Sequence, residues 1–242
     1  MGSSLQPTLI VIPAFNEEES IGAVLTEVRR HLPDTDIVVI SDGSMDATAA
    51  IVRQQGYRVI ELPINLGVGG AMRTGFKFAL RNGYQSVVQL DADGQHDPSL
   101  VPQLVKELDQ ADIVIGSRFA GVGDYAVRGP RKWAMGFLSW SLSKICHTPL
   151  TDTTSGFKAL SLKALTVFEN NYPAEYLGDT VEALVIAARA KLIVREIPVT
   201  MRKRLAGQPS HNGLRSMIQL ARALMALFFG LMRPIDATRG LS

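Results

Sequence analysis

The stretch VVQLDADGQHDP (residues 87–98) joins an apolar run to two carboxylates, Asp91 and Asp93, that lie one residue apart. An apolar, β-branched run that ends in polar turn residues is typical of a buried parallel strand. Two like charges at a strand end are unfavourable unless a cation, or a ligand that carries one, compensates them. The stretch therefore predicts a strand whose end presents an acidic pair to a ligand.

The residue types after this strand favour a divalent metal over a solvated acidic turn, which is the alternative. Carboxylate oxygens suit Mg²⁺ or Mn²⁺, so Asp91 and Asp93 are candidates to hold an ion that bridges to a diphosphate, and Gln95 can add a neutral oxygen. His96 is expected to be structural. An EF-hand is excluded, because the sixth and twelfth positions from Asp91 are His96 and Pro102 instead of Gly and Glu.

Four other runs resemble this one and alternate with stretches of helical periodicity. The predicted strands are 8–13, 36–41, 57–62, 86–91 and 112–117. The helical stretches between them are 18–32, 45–55, 68–82 and 99–110. Such alternation predicts an α/β fold with a doubly wound, mostly parallel sheet, and ligands bind such sheets beyond the carboxyl ends of the strands.

The alternation weakens after about residue 120. The second part of the chain reads as a helix (131–146), a loop (147–157), a helix (178–190), a strand (192–197) and a final helix at about 212–232. No internal repeat is visible. We expect the final helix to form an appendage to the domain.

Composition limits the class of protein and its compartment. The single cysteine, Cys146, excludes a disulfide framework, and the N-terminus lacks a signal peptide, so we expect a cytoplasmic protein. We expect no nucleic-acid partner. The net charge is +2, but residues 188–242 hold 10 Lys and Arg against 2 Asp and Glu. This basic tail could face an anionic membrane or phosphates, or form a solvated helix face.

The loops after the first two predicted strands carry polar groups suited to a ligand. In PAFNEEES (13–20), Asn16 and Glu17 follow Pro13, and helix capping by Asn16 with Glu19 is the alternative. In SDGSMDAT (41–48), Asp42 can accept an N–H from a nucleobase. The glycine-rich NLGVGGAMRTGF (65–76) lacks the spacing of a phosphate-binding loop, so its glycines are expected to serve close packing.

The motifs PAFNEE, SDGS, NLGVGGA, LDADGQHDP, GSRF and DTTSGFKAL together resemble the family 2 glycosyltransferases, in the branch of the polyprenyl-phosphate mannosyl- and glucosyltransferases. The resemblance covers about residues 8–205. It implies a GT-A fold, a UDP- or GDP-sugar donor, Mg²⁺ or Mn²⁺, and inversion at the anomeric carbon. It also divides residues 1–205 into a nucleotide-sugar half (1–118) and an acceptor half (119–205), with 206–242 as the appendage.

The same resemblance assigns roles to individual residues. Those expected at the nucleotide sugar are Pro13, Phe15, Glu17, Asp42, Asp91, Ala92, Asp93, Arg118 and Arg204. Those expected at the metal are Asp93 and Gln95, and those at the acceptor are Arg131, Ser155 and Gly156. Ser41 stands where the family commonly has an acidic residue, and His211 stands at a position that is often basic. Base and ribose preference therefore stay open.

The identity of the acceptor decides whether the reaction needs a general base. A phosphate acceptor is ionised at neutral pH, whereas a hydroxyl acceptor needs a base. Asp179 and Glu182 share one face of a predicted helix and are base candidates, with Asp152 as a further option. The alternative is that Asp179 caps its helix and Glu182 is a surface charge.

The apolar run 223–232 bears on the membrane. It is too short to span a bilayer, so it is expected to pack on its own domain, to lie in the membrane interface, or to contact an integral-membrane partner or a second copy of the chain. Any membrane contact would then be peripheral, at the inner face. The leading hypothesis is a metal-dependent inverting transferase that moves a hexose to polyprenyl phosphate. The alternatives are transfer to a hydroxyl acceptor and a catalytically silent subunit that binds nucleotide sugar.

Overall fold

A computed structural model describes residues 7–118, 130–173 and 179–202, with only the backbone for 130–135 and Asp179. The described chain forms one seven-stranded sheet in the order β3-β2-β1-β4-β6-β5-β7. Its strands are β1 (Thr8–Ala14), β2 (Asp36–Asp42), β3 (Arg58–Leu62), β4 (Ser86–Gln89), β5 (Ile113–Ser117), β6 (Lys158–Ser161) and β7 (Val194–Pro198). The α/β fold with a doubly wound, mostly parallel sheet is confirmed.

Within the described ranges, seven α-helices cover the two faces of this sheet. They are α1 (Ile21–His31), α2 (Thr48–Gln54), α3 (Gly67–Arg81), α4 (Val101–Glu107), α5 (Pro130–Cys146), α6 (Leu162–Asn171) and α7 (Asp179–Arg189). Alternate residues of β1 enter two separate cores, because successive side chains of a strand point to opposite faces. Helices α1, α2 and α4 pack in one core, and α3, α5, α6 and α7 pack in the other.

Two elements between residues 158 and 171 were missing from the sequence prediction. Strand β6 lies antiparallel between β4 and β5, and α6 follows it at once, with Ser161 accepting a hydrogen bond from the Ala164 N–H at its start. The four residues of β6, Lys-Ala-Leu-Ser, carry no β-branched side chain and no clear alternation, so periodicity does not reveal them. The second half of the chain therefore completes the same sheet as the first.

Element boundaries differ from the prediction by a few residues. Strand β1 ends at Ala14, one residue beyond its predicted end at Pro13, and β4 ends at Gln89, two residues before its predicted end at Asp91. Proline is tolerated inside β1 because the ladder with β4 ends at Val11. Val11 and Pro13 direct their backbone groups to the same side, so the missing N–H of Pro13 falls beyond that ladder.

Helix α3 packs unusually close to the central strand β1. A Cβ atom added to Gly75 would lie 2.5 Å from Cγ1 of Val11, so only glycine fits without movement. The buried Phe76 next to it contacts Phe168 and Tyr172 with ring centroids 6.2 and 5.0 Å away. These contacts fix α3 against both the sheet and α6.

None of the helices in the described ranges is long and apolar enough to cross a membrane. The predicted helix at 212–232, together with Arg204 and His211, lies outside the described residues.

We predict that Gly75→Ala destabilises the protein by about 1–3 kcal/mol, because the added methyl group overpacks the contact with Val11. Gly136→Ala in the middle of α5 is the matched control, since an added Cβ meets nothing within 4 Å there. Helix propensity should make that control more stable by about 0.5–1 kcal/mol. Urea unfolding measures both values, and equal stabilities for the two variants would contradict the close approach of α3 to β1.

Candidate active site

The candidate site lies at the topological switch point of the sheet, where the chain begins to add strands on the other side of β1. The chain runs from β1 outward through β2 and β3, and then returns so that β4 pairs with the opposite side of β1. The β1–β4 ladder ends with the Leu90 N–H donating to the Val11 carbonyl at 3.1 Å. The loops 15–20 and 90–97 follow this point, and such a switch point is the usual ligand crevice of an open α/β sheet.

The loop after β4 is held in a tight turn by its own side chains. The Asp91 N–H donates to Nδ1 of His96 at 3.0 Å, and the Gln95 N–H donates to Oδ1 of Asp93 at 3.0 Å. Gly94 has φ +77°, a conformation that side chains other than glycine rarely adopt. The buried His96 ring stacks on Phe157 with centroids 4.9 Å apart. His96 therefore has the structural role expected for it.

The two carboxylates of this loop have different surroundings. The Asp91 side chain is 37% exposed, and its oxygens lie 3.4 Å from both Nε2 of Gln89 and Nε2 of His96. Asp93 is only 5% exposed, and Ala92 between them packs in the core. Asp91 thus faces the open crevice, whereas Asp93 lies deeper in the turn.

These groups fit a hard divalent cation that shares its coordination with a ligand. Within the described ranges, no three His, Cys, Asp or Glu side chains are arranged to hold a metal by themselves. An ion beside Asp93 would therefore need other oxygens, such as the Gln95 amide and the oxygens of a bound diphosphate. The N–H of Gln95 donates to Asp93 and its carbonyl accepts from the Arg202 N–H, so any further contact of Gln95 with a ligand would use the side-chain amide.

The loops after β1 and β2 are joined by hydrogen bonds. Oδ1 of Asn16 accepts from the Met45 N–H at 2.9 Å, and the Glu17 N–H donates to Oγ1 of Thr48 at 2.8 Å. Asn16 does not cap α1, because the N-cap is Ser20, so the capping alternative for Asn16 with Glu19 is wrong. These bonds hold the two loops as one wall of the crevice.

Two predicted nucleotide contacts, Phe15 and Glu17, lie on this wall. Phe15 is 43% exposed, whereas Pro13 is buried in β1. One oxygen of the Glu17 carboxylate accepts from Oγ of Ser20 at 2.6 Å. An exposed aromatic ring two positions before a carboxylate in the same loop is suited to a flat, polar ligand group such as a nucleoside.

Asp42, which is predicted to accept a hydrogen bond from the nucleobase, is buried. It is 3% exposed, and its Oδ1 accepts from the Leu66 N–H at 2.7 Å. Burial raises the pKa of the Asp42 carboxyl, although the Leu66 N–H opposes this shift. One oxygen of Asp42 thus holds the loop before α3, and its predicted contact with a nucleobase would use the other.

Arg118 is tied to a buried carboxylate. Its Nε and Nη2 lie 2.7 and 2.8 Å from the two oxygens of Asp152, and Nη2 also donates to Oγ1 of Thr154. Burial alone would raise the pKa of Asp152, but the Arg118 contacts outweigh it and hold this pKa below the usual range. A low pKa makes Asp152 a weak general base, so this base candidate is disfavoured.

Ser155 and Gly156, both predicted at the acceptor, have different contacts. Oγ of Ser155 donates to the Gly116 carbonyl at 2.6 Å in a buried position, which favours a structural role. A Cβ added to Gly156 would lie 2.9 Å from Oδ2 of Asp91, so Gly156 lies directly against that carboxylate. Glu196, which the sequence analysis missed, supports this loop by accepting the N–H groups of Thr151 and Asp152.

Arg202 is a second residue that the sequence analysis missed. Its backbone N–H donates to the Gln95 carbonyl at 2.9 Å, and its side-chain Nη2 lies 2.8 Å from Oδ2 of Asp97. Its other guanidinium nitrogen pairs with Glu27 of α1. Arg202 thus anchors the loop after β4 to α1 and to the segment after β7. Nothing in the basic run Arg202–Arg204 distinguishes this arginine by sequence.

The remaining candidates are only partly described. Arg131 lies in the first turn of α5 and Asp179 begins α7, but their side chains are outside the described residues. Glu182, one turn further along α7, is half-buried. The structure therefore assembles Asp91, Asp93 and Gln95 with the loops after β1 and β2, and leaves Arg131, Asp179 and Arg204 as predictions.

Comparison with known proteins agrees with this geometry. The Glycosyl transferase family 2 model matches residues 9–166. Undecaprenyl-phosphate mannosyltransferase of Micrococcus luteus is 31% identical over 85% of this chain and 87% of its own length. A UDP-N-acetylglucosamine–dolichyl-phosphate N-acetylglucosaminyltransferase of Methanococcus voltae is 30% identical over 78% of this chain and 83% of its own length.

A solved structure shows the same fold. It is glucosyl-3-phosphoglycerate synthase from Mycobacterium tuberculosis in complex with Mn²⁺, UDP-glucose and phosphoglyceric acid. The TM-score is 0.70 at 21% identity, and the match covers 96% of this chain and 81% of the other. The described sheet therefore has the GT-A fold.

We predict that Gly156→Ala weakens the binding of Mn²⁺ with UDP or GDP by about tenfold or more, because the new methyl group displaces the Asp91 carboxylate. Isothermal titration calorimetry measures this loss. Gly136→Ala, which adds the same methyl group in open space, should bind like the wild type. Unchanged binding by Gly156→Ala would show that the position of Asp91 does not matter for the site.

We also predict that Arg202→Met loosens the loop after β4. The variant keeps the backbone N–H that donates to Gln95 but loses the guanidinium contacts with Asp97 and Glu27, so faster amide hydrogen exchange should appear in residues 91–97, together with roughly tenfold weaker Mn²⁺ binding in the presence of nucleotide. Arg195→Met is the matched control, since Arg195 lies in β7 and its loss removes only a partly exposed ion pair with Glu107. If both variants exchange and bind alike, Arg202 has no positioning role.

Proposed function

Because the chain belongs to glycosyl transferase family 2 and is a glycosyltransferase, we propose that it moves a hexose from a UDP- or GDP-sugar to a polyprenyl phosphate. The observation that carries the proposal is the acidic turn Asp91–Gln95 at the switch point of the sheet, with an exposed aromatic ring, Phe15, in the loop after the neighbouring strand β1. The names of the relatives from M. luteus and M. voltae both include a lipid phosphate, undecaprenyl phosphate or dolichyl phosphate, and this supports the choice of acceptor.

The nucleoside would lie along the wall formed by the loops after β1 and β2. Phe15 would contact the base, Glu17 would accept hydrogen bonds from the ribose or base, and the second oxygen of Asp42 would accept an N–H of the base. The two relatives carry different sugars in their names, so the sugar is proposed only as a hexose. Ser41 in place of an acidic residue removes one acceptor that could discriminate between bases.

The diphosphate would lie over the turn after β4. Asp93 and Gln95 would hold Mg²⁺ or Mn²⁺, with Asp91 at the open side of the crevice. Such a cation neutralises negative charge that develops on a diphosphate leaving group. The guanidinium of Arg204, two positions after the anchored Arg202, would contact the same diphosphate.

The proposed reaction is a single displacement at the anomeric carbon. An oxygen of the acceptor phosphate forms the new bond to that carbon, and the bond from the carbon to the diphosphate oxygen breaks. The nucleoside diphosphate leaves with the electron pair, so the configuration inverts. Arg131 at the start of α5 would orient the acceptor phosphate, which is already ionised and needs no base.

A hydroxyl acceptor is the second candidate, and it needs a base. The ion pair between Asp152 and Arg118 disfavours Asp152 in that role, which leaves Asp179 and Glu182 on the first turns of α7. Family membership favours an enzyme over a catalytically silent subunit. We further propose a peripheral location at the inner face of the membrane, because a polyprenyl phosphate is held in the bilayer by its tail.

The test is a panel of UDP- and GDP-hexoses with polyprenyl phosphate in detergent and with Mn²⁺ or Mg²⁺. Mass spectrometry should detect one hexosyl phosphate product with release of the nucleoside diphosphate, and EDTA should abolish it. The double variant Asp179→Asn with Glu182→Gln should turn over within about threefold of the wild type, because a phosphate acceptor needs no base.

Two results would contradict the proposal in different ways. No transfer and no donor hydrolysis across the whole panel would refute the donor chemistry. A loss of about 10²-fold or more in turnover for the double variant, with donor affinity unchanged, would indicate a base and therefore a hydroxyl acceptor.

A further inference from the structure

Helix α5 presents an aromatic pair to solvent. Phe137 is 55% exposed and Trp140 is 60% exposed, and their ring centroids lie 6.1 Å apart. On the opposite side of the same helix, Leu138 and Leu142 are buried in the core with α7. Two large neighbouring aromatic rings on a helix that is already anchored have no role in the fold of the described residues, and such exposure is typical of an interaction surface.

The charged residues of α5 itself are all positive. Lys144 is exposed one turn after Trp140, and the sequence of residues 130–151 adds Arg131 and Lys132 but contains no Asp or Glu. Aromatic side chains with basic neighbours are the combination that binds the interface of an anionic bilayer, where the rings enter the headgroup region and the cations meet lipid phosphates.

The position of the pair relates it to the crevice. The last turns of α5 are tied to the carboxyl edge of the sheet, because Oγ of Ser143 accepts from the Leu150 N–H at 2.9 Å and Oγ1 of Thr151 lies 2.9 Å from Oγ of Ser117, the last residue of β5. At a rise of about 1.5 Å per residue, Phe137 lies only about 10 Å along the helix from Pro130. A bilayer against this face would therefore lie within reach of the helix start where Arg131 is expected to hold the acceptor phosphate.

We propose that the α5 face formed by Phe137, Trp140 and Lys144 binds the surface of an anionic bilayer and so brings the crevice to a lipid-borne acceptor. The link to the acceptor rests on the proposed function, whereas the binding itself does not. A second copy of the chain is a poorer partner, because a two-fold contact through α5 would set two basic faces against each other. The run 223–232, which has Arg222 and Arg233 at its ends, likewise offers no negative charge to this face.

Trp140 can report its own environment. The chain has two tryptophans, so in a Trp133→Phe background the fluorescence comes from Trp140 alone. Vesicles of phosphatidylglycerol and phosphatidylcholine, without polyprenyl phosphate or sugar donor, should shift this emission to the blue and protect it from acrylamide. Pure phosphatidylcholine vesicles should do so more weakly, and salt should reduce the difference.

Vesicle sedimentation of the full chain tests the residues. Phe137→Ser with Trp140→Ser should bind about tenfold more weakly or worse, because both rings lose their apolar burial. Lys144→Glu should weaken binding to the anionic vesicles only. Ile193→Ser is the matched control, since Ile193 is also 55% exposed but precedes β7 at the opposite, amino-terminal edge of the sheet, and it should bind like the wild type.

Activity separates this inference from the proposed function. The double serine variant should keep wild-type turnover with a short-chain prenyl phosphate in solution and lose about tenfold with long-chain polyprenyl phosphate in anionic vesicles. A protein that transfers no sugar but still binds vesicles through Phe137 and Trp140 would refute the function and support the surface.

Three outcomes would overturn the proposal that the α5 face binds an anionic bilayer. The first is vesicle binding that the double variant leaves unchanged. The second is Trp140 emission that is already shielded from acrylamide without vesicles, which would mean that another part of the chain covers the face. The third is a concentration-dependent dimer that the double variant abolishes, which would assign the face to a second copy of the chain.

Discussion

The site depends on how the loop after β4 is fixed. Its turn is closed from within by the bond from the Asp91 N–H to the His96 ring, and from outside by the bond from the Arg202 N–H to the Gln95 carbonyl. Gly156 then packs against the Asp91 carboxylate from the loop before β6. Two neighbouring carboxylates repel each other, and these contacts hold both at the end of β4 without a bound ligand. Preorganisation of this kind is what a charged leaving group requires.

The sequence was sufficient for the part of the fold that is built from strong local patterns. The β-branched runs of β1, β2 and β5 are buried on both faces, so composition alone marks them as parallel strands. Strand β6 has no such pattern, because its place is set by pairing with β4 and β5 on both sides and by the cap at Ser161. The end of β1 was predicted one residue early for a similar reason. Proline is tolerated in β1 because the ladder with β4 ends at Val11, and this depends on the assembled sheet.

The candidate site divides in the same way. Residue type and position at a strand end were enough to select Asp91, Asp93 and Asp42, but burial, which differs strongly between Asp91 and Asp93, depends on the folded loop. The anchoring contacts could not be read from the sequence at all. Glu27 and Arg202 are 175 positions apart, and the pairing of Arg118 with Asp152 joins residues 34 positions apart. Only the folded sheet brings these partners together. Asp152, a base candidate by sequence, is a buried counter-ion of Arg118 in the structure.

The central claim is that the turn after β4 holds a divalent cation against the diphosphate of an activated sugar. The most direct measurement is the anomalous diffraction of Mn²⁺ in crystals grown with the nucleoside diphosphate. The account predicts one strong peak between the Asp93 carboxylate, the Gln95 amide oxygen and the diphosphate, at about 2.1–2.3 Å from each oxygen. A diphosphate bound in the crevice with no manganese peak beside Asp93 would contradict it.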